Sequence, residues 1–130
     1  PAAPPVPAAA GGDGSAAADG AAAWPGLDVA WALPTWGDEA LYRQCLLDFV
    51  REHGDAAREM AAADTPAAAA ALAHKLNGAA AQLALTEVSA RAEEAELVYR
   101  TGLSPQATLS ALQAALDTAR ASIRGYAGGG

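Results

Sequence analysis

A lone cysteine, Cys45, rules out an intrachain disulfide, and its place in the apolar run Cys45, Leu46, Leu47 reads as a buried structural thiol in a reducing, cytoplasmic setting. Basic residues are scarce. Eight Lys and Arg stand against fifteen Asp and Glu, a formal charge of -7, and they are scattered. Neutralising a phosphate backbone takes clustered cations, so no nucleic-acid partner is expected. No uninterrupted apolar run reaches the roughly 18 residues needed to cross a bilayer, and the amino terminus lacks the basic start and apolar stretch of a signal peptide. A soluble chain with no direct membrane contact is the expectation. Aromatics make up 5% of a chain that is 52% hydrophobic; alanine supplies most of the apolar content, which suits close-packed helices better than a sheet.

What is present falls into two regions. Residues 1–23 are almost wholly Pro, Ala, Gly and Ser with two Asp, carry too little bulky apolar surface to offset the entropy of ordering, and read as a flexible linker. Residues 24–125 have the length of one domain, and residues 126–130 read as a disordered tail.

Within the domain, Trp24, Leu27, Val29, Trp31 and Leu33 predict a short helical lead-in that ends before Pro34. Asp38 can cap a helix with the apolar stripe Leu41, Cys45, Leu46, Phe49 and Val50, closed by Gly54. Asp55 can start a weak helix around Met60. Thr65 as cap with Pro66 at the first position starts a helix that runs to about Leu85. Thr86 is the next expected cap, for a helix through Val88, Ala92, Ala95, Leu97 and Tyr99 that stops at Gly102. Ser104 and Pro105 repeat the earlier device, with the stripe Leu109, Leu112, Leu116, Ala119 and Ile123 ending at Gly125. Four principal helices with short connections predict an all-α fold, an antiparallel up-and-down four-helix bundle with a short N-terminal lead-in helix.

The stretch from Leu72 to Leu85 contains one of the two histidines, His74, among Ala and Gly. At about 100° per residue, Leu72, Leu76, Ala79 and Leu83 fall opposite His74 and form the expected buried stripe. The histidine therefore points outward. Its own face carries Ala67, Ala70, Ala71, Asn77, Gly78 and Ala81, with Lys75 and Gln82 at one edge. A mid-helix glycine costs roughly 1 kcal/mol relative to alanine, so Gly78 asks for a reason: its bareness lets another protein's surface approach the imidazole.

Metal binding would need several converging ligands, and the other histidine, His53, belongs to a different helix, so no metal site is expected. Glu93, Glu94 and Glu96 read as a solvated face. No Gly-rich loop followed by Lys and Ser or Thr is present to cradle a nucleotide, and no autonomous catalysis is expected. An exposed neutral imidazole can still act as a covalent acceptor for a group that a partner delivers; phosphoryl transfer fits, because it depends mainly on positioning and charge neutralisation.

The run His74, Lys75, Leu76, Asn77, Gly78, Ala79, Ala80 resembles the histidine-containing phosphotransfer (HPt) domain of bacterial multistep phosphorelays, whose pattern is His, any residue, Leu, Lys, Gly, then small residues. The segment from Leu33 to Asp55 also resembles that family's opening helix, and the likeness covers roughly Leu27 to Ile123. It implies that His74 is the phosphoacceptor, that response-regulator receiver domains are the partners, a cis receiver of a hybrid sensor kinase among them, and that the partner supplies the Mg²⁺ while this chain binds no cofactor. Lys75, Asn77, Gly78, Ala70, Ala71, Ala81 and Gln82 are then the docking and phosphoryl environment. It further implies a monomer, placement at the C-terminus of a hybrid kinase, and a parent protein anchored in the inner membrane. Two departures stand out. Asn77 occupies the lysine position, a substitution that Lys75, about 160° around the helix, does not repair. Ala84 stands where the family often has Gly, a change expected to matter little. The alternatives are a degenerate docking module that binds a receiver or kinase without being phosphorylated, and a bundle that dimerises through its smooth Ala/Gly face.

Overall fold

Six α-helices follow one another over residues 24–128, which the computed structural model describes. Residues 1–23, read above as a linker, and residues 129–130 lie outside the described residues. Helix α1 (Val29–Trp36) begins at Asp28, whose carboxylate accepts from the Trp31 N–H, and it runs through Pro34 instead of ending before it. The ring removes one backbone bond, to the Ala30 carbonyl; Ala30 is exposed, so water can satisfy that oxygen.

Helix α2 (Glu39–His53) starts at Asp38 as expected, with its carboxylate on the Leu41 N–H. Its buried stripe is Tyr42, Leu46 and Phe49, so the expected stripe is turned: Leu41 is half exposed and Cys45 only partly buried. Tyr42 can be buried because its hydroxyl donates to the Leu83 carbonyl at 2.7 Å and its ring packs between those of Trp36 and Tyr126. Gly54 then allows a sharp passage into the short helix α3 (Ala56–Ala62). A Cβ at Gly54 would lie 2.7 Å from the Val50 carbonyl oxygen and 2.9 Å from the Arg120 guanidinium. Asp55, expected to cap α3, makes no capping bond.

Thr65 caps helix α4 (Pro66–Gln82) through the Ala68 N–H, with Pro66 in the first turn, as the sequence predicts. The helix stops at Gln82 and not at Leu85. Ala84 takes φ 62°, a left-handed conformation, and the Leu85 N–H turns back to the Ala80 carbonyl. Ala84 is therefore a strained residue, at roughly 1 to 2 kcal/mol for a side chain with Cβ, and the expectation that it matters little is corrected. Leu85 occupies the cap position of helix α5 (Thr86–Thr101), and Thr86 is its first residue instead of its cap. Backbone bonds from Asp28 N–H to Ala84 O and from Thr86 N–H to Gly26 O pin the lead-in across this turn.

Gly102, left-handed at φ 76°, ends α5. Helix α6 (Gln106–Ile123) has Pro105 at its cap position, and Ser104 does not cap it. The chain beyond Ile123 is not a tail from 126 onward: Arg124–Gly128 form a π-helical turn in which Tyr126 is buried, with its hydroxyl 2.6 Å from Glu39.

Helices α2, α4, α5 and α6 make the bundle. Its most extensive seam is between α4 and α5, whose buried residues include Ala69, Ala73, Leu76 and Ala80 on one helix and Val88, Ala92 and Ala95 on the other. Small side chains in such a seam bring the helix axes toward the short end of the usual 8–10 Å spacing. Short polar side chains can then bridge the two helices.

Candidate functional site

The alanine seam decides where His74 sits. The buried face of α4 is centred on Ala69, Ala73, Leu76 and Ala80, turned by about 60° toward α5 from the stripe Leu72, Leu76, Ala79 and Leu83 that the helical wheel suggested. Leu72 and Ala79 are only partly buried. The rotation splits the histidine's face in two. Ala71, Lys75, Gly78, Ala81 and Gln82 remain exposed, whereas Ala70 and Asn77 lie on the side that turns into the seam. Ala70 is fully buried and cannot contact a partner, which corrects its expected place in the docking surface.

His74 itself stands clear, its side chain 74% exposed. Gly78, one turn further along, has no atom within 4 Å of where a Cβ would project, so it fills no packing need inside the fold. Both observations agree with a face left open for a macromolecule.

Across the seam, Ser89 donates to the Asn77 side-chain oxygen at 2.5 Å, and Glu96 reaches His74, with Oε1 3.2 Å from Nδ1. Glu96 was expected on a solvated face with Glu93 and Glu94. Those two are exposed, but the Glu96 side chain is only 19% exposed and is the neighbour of His74 that sequence reasoning missed. Its other oxygen, Oε2, accepts from Arg100 Nε at 2.9 Å. The Arg100 hydrogen bond and then that of His74 hold the Glu96 carboxyl below its ordinary value, against partial burial that acts the other way. A helical spacing signal for Glu96 existed only as the i,i+4 pair with Arg100; its link to His74 depends on the register of two helices.

An ionised carboxylate only accepts hydrogen bonds, so the Glu96 contact assigns the imidazole proton to Nδ1. The lone pair of neutral His74 is then on Nε2, the nitrogen directed away from Glu96. The arrangement presents one nucleophilic nitrogen, oriented by a carboxylate and bordered by bare helix backbone.

His53, the other histidine, is at the end of α2. Its ring packs tilted against Phe49 with centroids 4.9 Å apart, and burial pushes its pKa down, with Lys75 adding to the effect and Glu52 and Glu59 opposing it. Lys75 is exposed on the flank of α4 opposite Asn77, the residue that bonds α5. Among the described residues no three His, Cys, Asp or Glu side chains converge as a metal site would require, and no helix is long and apolar enough to cross a membrane.

Compared with known families, residues 41–122 match the family model described as the Hpt domain. Comparison with curated proteins and with solved structures finds no match.

Proposed function

Since the chain belongs to the Hpt domain family, we propose that His74 is its phosphoacceptor, taking a phosphoryl group from the aspartate of one receiver domain and passing it to another. The family itself implies phosphotransfer in a phosphorelay and interaction with response-regulator receiver domains. The observation that carries the residue assignment is the Glu96 contact, which leaves Nε2 of an exposed imidazole as the free nucleophile.

In the forward step the Nε2 lone pair attacks phosphorus, the bond from phosphorus to the aspartyl oxygen breaks, and the aspartate leaves as a carboxylate. Nδ1 keeps its proton throughout. The phosphorylated ring is then a cation, and the Glu96 carboxylate faces that charge. The receiver supplies Mg²⁺ and the in-line geometry, while this chain supplies an oriented nitrogen and, at Gly78, room for close approach. Ala71, Lys75, Ala81 and Gln82 border the approach. Placement after a receiver in a hybrid kinase agrees with the Pro/Ala/Gly-rich composition of residues 1–23.

Incubation with a labelled phospho-receiver and Mg²⁺ tests the reading. Acid-labile, alkali-stable label on the wild type, absent from a folded His74→Gln variant, is the expected result. The neutral Asn77 favours a second reading, a docking module that is never phosphorylated; it predicts receiver binding that survives His74→Gln, with no label on the wild type from any of several receivers.

A further inference from the structure

We propose that Arg100 is the cation that holds the phosphoryl group once it is on His74, a charge supplied from α5 because α4 presents none there. The inference rests on His74 being the phosphoacceptor.

A phosphoryl group brings between one and two negative charges at neutral pH, and here it arrives on a ring already hydrogen-bonded at Nδ1 to the Glu96 carboxylate, on a chain of net charge -7. Unless a cation is near, like charges oppose both its arrival and its persistence. On α4 the candidates fail. Asn77 is neutral and tied by its oxygen to Ser89, and Lys75 lies on the opposite flank of His74, away from α5.

Arg100 is the basic residue joined to the imidazole through a single side chain. Glu96 holds His74 Nδ1 with one oxygen and Arg100 Nε with the other, so the guanidinium and the imidazole are gathered around one carboxylate. Only Nε makes that bond, which leaves four of the five N–H donors for another acceptor, and the side chain is 57% exposed. A planar guanidinium fork matches phosphate oxygens in a way that a lysine point charge does not. Glu96 thereby acts twice, orienting the nucleophile and stationing its counter-charge.

The test uses the full chain and phosphoramidate, a small donor that needs no receiver. Nε2 attacks phosphorus, the phosphorus–nitrogen bond breaks, and ammonia leaves. Labelling rate and the lifetime of phosphohistidine after donor removal are followed by phosphorus NMR for the wild type, Arg100→Gln, Arg100→Lys and the double variant Arg100→Gln/Asn77→Lys, each with its helical spectrum. The expected result is label on His74 in all four, a lifetime shortened roughly fivefold in Arg100→Gln, partial retention in Arg100→Lys, and recovery in the double variant, where a lysine enters from α4. A wild-type lifetime in Arg100→Gln, or a shortened one that neither lysine restores, overturns the role of Arg100 while leaving the acceptor in place. Absence of label at His74 in the wild type overturns the acceptor assignment and this inference with it.

Discussion

Adding one methyl group at Gly78 should raise the stability of this domain and lower its transfer activity. Gly78 is in the interior of α4 with ordinary helical backbone, and a Cβ there would meet no atom within 4 Å. Gly78→Ala therefore removes the entropic penalty of a helical glycine without a steric cost, a gain of roughly 0.8 to 1 kcal/mol. For a domain of about 100 residues that corresponds to a melting midpoint higher by about 4 to 8 °C. The same methyl stands one turn from His74, on the open flank. If a receiver packs there as tightly as a protein interior, an inserted methyl costs about 1 to 3 kcal/mol at the interface, or roughly a 5- to 150-fold loss in receiver affinity or transfer. The two effects have opposite signs, so a general loss of fold cannot imitate them. Thermal melts and receiver-to-His74 transfer rates measure them side by side, and phosphoramidate labelling, which needs no docking, should stay near the wild-type rate. A stabilised Gly78→Ala that transfers from receivers as fast as the wild type would refute the claim that bare backbone at this position serves close approach.

Replacing Glu96 with Ala should release the imidazole tautomer: nitrogen NMR of neutral His74, dominated by the Nδ1–H form in the wild type, should shift toward Nε2–H, and no change would remove Glu96 from the site. His53 makes stability depend on pH. Its folded pKa lies below the ordinary 6.5, so the unfolded chain binds the proton more readily; its contribution is fully present above about pH 6.5 and is lost as pH falls from there through the folded value. Urea melts of His53→Gln should show a shallower stability loss from pH 7.5 to 5 than the wild type, and parallel losses would contradict this. At Ala84, φ of 62° and near-complete burial predict that Ala84→Val, a β-branched residue in a left-handed conformation, costs about 2 kcal/mol or more. Ala84→Gly should change stability by less than about 1 kcal/mol, because relief of strain is offset by lost burial and greater chain entropy. Denaturant midpoints for the pair decide whether the turn is strained.

Local chemistry was legible at several helix ends. Asp38 and Thr65 cap helices through their own side chains, Pro66 pre-sets the first turn of α4, and Gly102 ends α5 in a left-handed conformation, all as the sequence predicts. The all-α class followed from alanine content and apolar spacing, and the exposure of His74 followed from counting around one helix. Some expectations failed locally: Pro34 is tolerated inside α1 because only one carbonyl loses its bond, and neither Asp55 nor Ser104 makes a capping bond. Others failed where a distant partner decides: Tyr42 displaces Leu41 from the core because Leu83 offers its hydroxyl an acceptor 41 residues away.

The sequence by itself thus determined the caps at Asp38 and Thr65 and the helix stop at Gly102, and it presented His74 and Gly78 on one helix face, since those properties depend on neighbours within a turn or so. Only the tertiary structure decided how far that face stays open. The alanine seam rotates α4 by about 60°, buries Ala70, ties Asn77 to Ser89 and sets the α4–α5 register that brings Glu96 and Arg100 to the imidazole. The physical reason is that a helix fixes the angles between its own side chains, while the direction of the whole set is chosen by what packs against it.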